Sequence, residues 1–268
     1  MNSNKHTQPP PRIQQLASTL TSNMLWATRL LTVLPVPSPR SETALPENIS
    51  LATVFFPLVG ALMGLALAAV AVATAAVLPS QIASGVVLIS WVLLTGALHL
   101  DGLADTVDGL AAAGTSTQRL TVMKDPRTGA KAVIVLIVVL IAKYAVVQQI
   151  VATASWWILP PACALGRWAM VPHLYFIPYA RKSGMASPFR LVRAHHLIAA
   201  TAVLIGVLAL FTGYRSFLPA VGAFVVSLVW SWQMRSKVGG YTGDSLGAVC
   251  QTAELAVLIL YAASLAIP

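Results

Sequence analysis

Long apolar runs separated by short polar segments set the pattern of this chain. Seven of these runs approach or exceed the roughly 20 residues that a helix needs to cross a bilayer. They are Leu51–Leu78, Ile82–Leu100, Ala132–Ala152, Trp156–Ile177, Leu197–Thr212, Phe217–Met234 and Leu246–Ile267. The pattern predicts an all-α fold, a polytopic transmembrane helix bundle of about seven spans with short cytoplasmic loops.

The segment before the first run has a different character. Residues 1–22 are polar and carry several prolines, which predicts a disordered cytoplasmic tail. The apolar segment Met24–Leu34 is too short to span a bilayer, and it predicts an interfacial helix. Residues 23–268 are then expected to form a single integral-membrane catalytic domain. Within the first run, Gly60 and Gly64 predict a close contact with another helix.

Composition and charge support a membrane protein and give it an orientation. Only 9% of the 268 residues are charged and 57% are hydrophobic, whereas about a quarter of the residues in soluble domains are charged. The net charge of +9 is spread over loops instead of forming a basic stripe, which argues against nucleic acid. The loops after the second, fourth and sixth runs hold ten basic residues, and the alternate loops hold only Arg215. We therefore expect the three basic loops to face the cytoplasm. Their basic residues are Arg119, Lys124, Arg127, Lys131, Arg181, Lys182, Arg190, Arg193, Arg235 and Lys237.

The strongest chemical signal is the segment His99–Gly109, which contains three aspartates. Asp101, Asp105 and Asp108 are separated by steps of four and three, so they share one face of a helix. No basic residue within the segment offsets their repulsion, and a bound cation would do so. Carboxylate oxygens select Mg²⁺ or Mn²⁺, and Mg²⁺ commonly bridges carboxylates to substrate phosphates. The alternatives are a solvated helix end with fortuitous acids and a cation-coupled transport site.

Two further polar segments could take part in the same chemistry. Met123–Gly129 contains Lys124 and Arg127, which could clamp phosphate oxygens, although an ordinary cytoplasmic loop would look similar. In Gly239–Ser245, Asp244 could be the N-cap of the last helix. It could instead be a fourth carboxylate at the metal site, with the glycines letting backbone amides approach phosphate.

Three charged residues lie inside the apolar runs. Lys143, Arg167 and Glu254 all reach a depth of about 15–18 Å from the cytoplasmic ends of their helices. Because an isolated charge is costly there, we expect Glu254 to pair with Arg167 or Lys143 beneath the aspartates. The alternative is that each of these residues faces a water-filled cavity or the substrate alone.

Five segments together resemble those of the cobalamin synthases, the adenosylcobinamide-GDP ribazoletransferases of the corrinoid nucleotide-loop pathway. The segments are Phe55–Gly60, Leu98–Gly109, Met123–Ala130, Leu165–Met170 and Gly239–Gly247. The resemblance implies a Mg²⁺-dependent transferase that joins adenosylcobinamide-GDP to α-ribazole, or to its 5′-phosphate. The products would be adenosylcobalamin, or its 5′-phosphate, and GMP. It also implies a multi-pass protein of the bacterial inner membrane with a cytoplasmic active face and no nucleic-acid partner, and it leaves a homo-oligomer open.

The same resemblance implies roles for individual residues. The catalytic residues would be Asp101, Asp105, Asp108 and Asp244. The first three of these would bind Mg²⁺, and Asp244 would be a fourth ligand or a general base. The substrate-binding residues would be His99, Lys124, Asp125, Arg127 and Arg167. Of these, Lys124 and Arg127 would hold the pyrophosphate.

Two other classes of protein fit the sequence less well. A CDP-alcohol phosphotransferase of lipid synthesis would share the segment Asp101–Ala104, but Leu98 replaces the first aspartate of its motif and Asp105 replaces the arginine. The G-x3-D-x3-D continuation of that motif is also missing. A cation-coupled transporter would place its acids near the bilayer midplane in pseudo-repeated halves. The aspartates of this chain lie instead at the predicted membrane edge.

Overall fold

The computed structural model describes residues 12–37 and 49–266. Within these ranges the chain forms ten α-helices, four short 3₁₀ turns and one isolated β-bridge. The helices are α1 (Arg12–Leu31), α2 (Phe56–Ala75), α3 (Ser80–Thr95), α4 (Leu98–Ala111), α5 (Ser116–Val122), α6 (Ala130–Ala152), α7 (Leu159–Phe176), α8 (Ala194–Phe211), α9 (Phe217–Lys237) and α10 (Gly243–Ala266). The predicted all-α class is confirmed.

Each of the seven predicted runs overlaps one of these long helices, and the second run also includes the start of α4. Five helical segments among the described residues are long and apolar enough to cross a membrane, and the bent pair α3–α4 makes a sixth if it counts as one span. The remaining run, Trp156–Ile177, forms α7, whose residues Leu159–Leu174 are all buried inside the bundle. The architecture is that of a multi-pass membrane protein, and it is compatible with about seven spans.

The N-terminal helix begins earlier than the sequence pattern predicts. α1 starts at Arg12, so residues 12–22 are helical where a disordered tail was expected. No proline or glycine follows Pro11 within α1, and nothing in this stretch interrupts a helix. The helix packs on the 3₁₀ turn before α2 and buries Trp26 and Leu31. Residues 1–11 of the predicted tail lie outside the described residues.

Helix α7 is the centre of the bundle, and its closest neighbour is α2. A Cβ atom on Gly60 would lie 2.4 Å from the carbonyl oxygen of Cys163, and one on Gly64 would lie 2.4 Å from that of Leu159. The two backbones can approach this closely only because both positions are glycine. The predicted close helix contact at Gly60 and Gly64 is confirmed.

A sharp break separates α3 from α4 and redirects the aspartate segment. Gly96 and Ala97 both adopt left-handed backbone conformations, with φ of 56° and 58°, and the two helices are bent by 81°. The predicted span Ile82–Leu100 therefore ends at Thr95. The N–H of Val33 donates to the carbonyl of Leu94, at 3.0 Å, so the segment after α1 packs against the break. Beyond it, α4 packs against α6 and α10.

Candidate active site

All three aspartates of the His99–Gly109 segment lie on α4, as their spacing predicts. Asp101 is exposed, and Asp105 and Asp108 are half-buried. Asp105 lies near enough to Asp101 and Asp108, and also to Asp244 of the last helix, for their negative charges to act on it. Carboxylates from two distant parts of the chain therefore converge at the end of the bundle.

Glycine contacts between α4 and α10 produce this convergence. A Cβ atom on Gly102 would lie 2.7 Å from the carbonyl oxygen of Asp244, and one on Gly247 would lie 2.8 Å from that of His99. The two helices thus meet backbone to backbone. Because Gly102 follows Asp101 directly, this contact brings the carboxylates of the two helices together.

The start of α10 leaves the carboxylate of Asp244 available to other groups. Thr242 and Ser245 cap the helix reciprocally: the N–H of Ser245 donates to Thr242 Oγ1 at 3.1 Å, and the N–H of Thr242 donates to Ser245 Oγ at 3.0 Å. Asp244 is therefore not the N-cap. Instead, its Oδ2 accepts a hydrogen bond from Arg181 Nη2 at 2.7 Å.

The glycines before Thr242 allow two loops to join. A Cβ atom on Gly240 would lie 2.0 Å from the carbonyl oxygen of Pro178, and Gly239 has a φ of 92°. The N–H of Tyr241 donates to Pro178 at 2.8 Å, and the N–H of Ala180 donates back to the carbonyl of Tyr241 at 2.9 Å. The glycines thus accommodate the backbone of the neighbouring loop.

Asp108 is held by a different segment from the other aspartates. The backbone N–H of Gly129 donates to its Oδ2 at 2.6 Å. A Cβ atom on Gly129 would lie 2.5 Å from Asp108 Oδ1, so a larger residue there would have to displace this carboxylate. Within residues 12–37 and 49–266, no three His, Cys, Asp or Glu side chains are arranged to hold a metal ion by themselves.

The other polar residues of the Met123–Gly129 segment lie at the surface. Arg127 binds Asp125 through two side-chain hydrogen bonds of 2.9 and 2.6 Å, and its backbone N–H donates a third of 3.0 Å. These hydrogen bonds lower the pKa of Asp125 to about 2. Lys124 is exposed, and Arg127 lines an open cavity of about 430 Å³ beside Asp108 and Lys131. The predicted phosphate clamp therefore faces solvent, and its contact with substrate stays a prediction.

The three basic loops meet at one end of the bundle. The contact between Asp108 and Gly129 joins α4 to the first loop, and the Arg181–Asp244 ion pair joins the second loop to α10. The bridge between Tyr179 and Tyr241 joins the second loop to the third. This shared end agrees with the common face that the charge asymmetry predicts.

A small apolar cavity opens beside the carboxylates. It has a volume of about 120 Å³, and Asp101 and Asp244 lie in its wall with His99. Its remaining surface is largely apolar and includes Phe56 and Phe189. His99 is buried, and its Nδ1 has no hydrogen-bond partner among the described residues.

An ionic cluster lies inside the bundle, where the three intramembrane charges meet. Glu254 on α10 forms ion pairs with both Lys143 on α6 and Arg167 on α7. Lys143 also donates to Gln251 at 2.8 Å and lies 4.3 Å from the centre of the Trp91 ring. The predicted pairing of Glu254 is confirmed, and it involves both candidate partners. Arg167 is fully buried here, and its predicted contact with substrate stays a prediction.

Several residues of the site were not identified from the sequence. The sequence identifies Arg181 only as one basic residue of a loop, and no adjoining residue in the sequence indicates that it binds Asp244. Thr242 and Ser245 have the spacing of a reciprocal helix cap, which could have identified them. His173 links α7 to α9 and α10 through hydrogen bonds of 2.9 Å to Ser231 and 3.0 Å to Ser245. No local sequence pattern predicts these hydrogen bonds of His173.

Comparison with known proteins gives a consistent result. Residues 23–262 match the sequence model of the cobalamin-5-phosphate synthase family. The adenosylcobinamide-GDP ribazoletransferase of Pseudomonas fluorescens strain Pf0-1 is 34% identical over 242 residues, covering 88% of this chain and 97% of that protein. The protein of the same name from Pseudomonas aeruginosa is 35% identical, covering 90% and 97%. The one from Roseiflexus sp. strain RS-1 is also 35% identical, covering 87% and 86%. No solved structure matches the chain.

Proposed function

Because the chain belongs to the cobalamin-5-phosphate synthase family, we propose that it is an adenosylcobinamide-GDP ribazoletransferase. In this reaction a hydroxyl of α-ribazole, or of its 5′-phosphate, attacks the phosphorus bonded to cobinamide. The bond from that phosphorus to GMP breaks, GMP leaves, and the hydroxyl proton must be taken up. The products are adenosylcobalamin, or its 5′-phosphate, and GMP.

The observation that carries the proposal is the meeting of Asp101 and Asp105 with Asp244 at the end where the basic loops gather. Phosphoryl transfer depends mainly on positioning the reactants and neutralising charge. The site offers carboxylates at its centre and guanidinium and ammonium groups around it. Asp244 would accept the proton from the attacking hydroxyl, and Arg181, whose Nη2 donates to Asp244 Oδ2 at 2.7 Å, would hold its orientation.

The donor set of the site fits Mg²⁺. Mg²⁺ in phosphoryl-transfer sites is usually bound by one or two carboxylates together with substrate phosphates and water. Asp101 and Asp105, with Asp244 beside them, provide hard oxygen donors of this kind, and Asp108 is engaged by Gly129. When bound, Mg²⁺ would neutralise charge on the phosphate oxygens.

The basic residues of the first loop would hold the substrate from outside. Lys124 and Arg127 lie on the same end of the bundle as the aspartates, and of the two phosphates of the pyrophosphate, the one bonded to cobinamide would replace Asp125 as the partner of Arg127. His99, in the wall of the apolar cavity, would contact the substrate from the membrane side. Arg167 would act through Glu254, below the site.

The proposed location is the bacterial inner membrane, with the site facing the cytoplasm. The positive charge of the three loops supports this orientation, because cytoplasmic loops are enriched in lysine and arginine. The nucleotide-activated substrate would then reach the site from the cytoplasm. The lipid bilayer surrounds the helices, whose outward faces carry many exposed apolar side chains.

The purified protein tests this function directly. With adenosylcobinamide-GDP, α-ribazole and Mg²⁺, we expect one GMP for each corrinoid product. Omitting α-ribazole or chelating the metal should stop GMP formation. An absence of GMP under the complete conditions would contradict the proposal. Release of CMP from a CDP-alcohol, or ion flux into vesicles without GMP formation, would support the phosphotransferase or transporter alternative.

A further inference from the structure

A second cavity lies next to the carboxylates, on the far side of Arg181. It has a volume of about 630 Å³ and is formed by the end of α7, the following loop and Tyr241. The β-bridge between Tyr179 and Tyr241 fixes two of its walls relative to each other. Its size is in the range of small-molecule sites, which is about 300–1,000 Å³.

The charged groups that line this cavity within residues 12–37 and 49–266 are all cationic. They are Arg181, Lys182 and Arg190, and none of the acidic residues in those ranges lines it. Arg190 donates to the carbonyls of Arg181 and Lys182, at 3.2 and 2.5 Å, and thereby holds the loop that carries the other two cations. Arg181 reaches Asp244 through Nη2, and its buried Nε has no hydrogen-bond partner within the described parts of the chain. Arg181 therefore belongs to both the cavity and the carboxylate site.

Aromatic rings complete the cavity. Tyr175 and Phe176 are each 41% exposed at its edge, and Tyr179 lies beneath the guanidinium of Arg190, 4.9 Å from ring centre to Cζ. Cationic side chains bind phosphates, and adjoining aromatic rings stack on planar bases.

We propose that this cavity binds the nucleotide end of the activated substrate, that is, the part that leaves as GMP. The inference rests on the proposed function. The phosphorus under attack would lie at the carboxylates, the next phosphate would lie against Arg181, and the guanine base would stack at Tyr175. Lys182 would contact the leaving phosphate as a point charge.

Charge and position favour this nucleotide over the acceptor. The activated substrate carries two phosphates, whereas α-ribazole carries none and its 5′-phosphate one, so three cations match the former better. The apolar cavity beside Asp101 has few polar groups and suits the benzimidazole of the acceptor. Since Arg181 touches both sites, a diphosphate can extend from one to the other.

The test measures equilibrium binding of labelled GMP and labelled α-ribazole to the purified full chain. Lys182→Gln and Tyr175→Leu should each weaken GMP binding about tenfold, through loss of one charged contact or of base stacking. Tyr175→Phe keeps the ring and should bind GMP normally. The controls are Lys237→Gln, which removes an exposed charge from the end of α9, and Tyr214→Leu, which removes an exposed ring outside the cavity. Both should leave GMP binding within twofold, and all variants should keep their α-ribazole affinity.

Several outcomes would overturn the inference. One is that the unaltered protein does not bind GMP at millimolar concentration. Another is that the cavity variants bind GMP normally. A third is that the cavity variants lose affinity for α-ribazole instead of GMP. Variants that change only the response to added phosphatidylglycerol would show that the cations serve a lipid headgroup, and would also overturn it. GMP binding that depends on the cavity in a protein that forms no GMP would support this site and contradict the proposed function.

Discussion

At the scale of single residues, each aspartate of the site has its own environment. Asp108 accepts a backbone hydrogen bond from Gly129, and Asp244 is bound by Arg181 and lies 3.4 Å from Thr242 Oγ1. Asp101 stays exposed. Sequence spacing makes the three aspartates of α4 equivalent, and only contacts from distant segments distinguish them. Those contacts tie Asp108 to the adjoining loop and leave Asp101 and Asp105 for the proposed role at the substrate.

The cap on α10 provides a test at this scale. Thr242→Ala removes the acceptor for the N–H of Ser245, and we expect a loss of about 1 kcal/mol in stability. Turnover should fall as well, because Asp244 lies between the two capping residues. Thermal unfolding and kcat should be compared with those of Thr74→Ala, whose hydroxyl donates to two carbonyls of its own helix, α2. Equal values for the two variants would contradict the role of the cap.

At the scale of helices, apolar length predicted where elements lie, and local backbone geometry decided where some of them end. The run Ile82–Leu100 looks continuous by composition, yet the left-handed pair at Gly96 and Ala97 divides it. A hydropathy profile does not show this break. Alanine rarely adopts a positive φ, and Ala97 does so here because of tertiary packing. The small residues at Gly60 and Gly64, in contrast, predicted their helix contact correctly because the small-xxx-small pattern has a direct steric meaning.

The site depends most on the close packing of α4 against α10. Gly102→Ala would place a methyl group 2.7 Å from the carbonyl of Asp244, so the helices must separate. We expect lower thermal stability and a kcat reduced at least tenfold. The matched control is Gly206→Ala in α8, where a Cβ meets nothing within 4 Å and alanine should be neutral or stabilising by up to about 1 kcal/mol. If the two variants behaved alike, the close contact would not position Asp244.

At the scale of the whole molecule, ionic contacts connect three helices of the bundle beneath its polar end. Lys143, Arg167 and Glu254 come from three helices, and their similar depth was enough to predict that they meet. Helical rise is uniform, so depth can be read from sequence. The sequence could not predict which of the two cations pairs with Glu254, because the pairing depends on helix rotation and tilt. In the structure Glu254 pairs with both.

The buried cluster can be tested by combining substitutions. Glu254→Gln leaves two buried cations without a counter-charge, and we expect a loss of about 3–5 kcal/mol. Adding Lys143→Met or Arg167→Met should cost less than the sum of the single effects. Combination with the distant Gly206→Ala should be additive. Strict additivity in both cation double variants, measured by thermal unfolding, would contradict the pairing.

The orientation of the bundle can be tested in intact cells. After removal of Cys163 and Cys250, single cysteines are placed beside Lys124, Arg181 and Lys237. We expect none of them to react with a membrane-impermeant thiol reagent until the cells are opened. A cysteine at Arg215, in the opposite loop, should react at once if the reagent has access to that face. Labelling at any of the first three positions would overturn the cytoplasmic placement of the site.

The most direct test of the catalytic role of the aspartates is the turnover of their asparagine variants. GMP formation is measured for Asp101→Asn, Asp105→Asn, Asp108→Asn and Asp244→Asn, each purified from the membrane with an unchanged thermal unfolding profile. Loss of an essential carboxylate should lower kcat at least 100-fold, about 2.7 kcal/mol. We expect that loss at Asp101, Asp105 and Asp244 through the reaction itself, and at Asp108 through release of the loop at Gly129. Near-normal turnover in any two of the four variants would contradict the assignment of the reaction to this site.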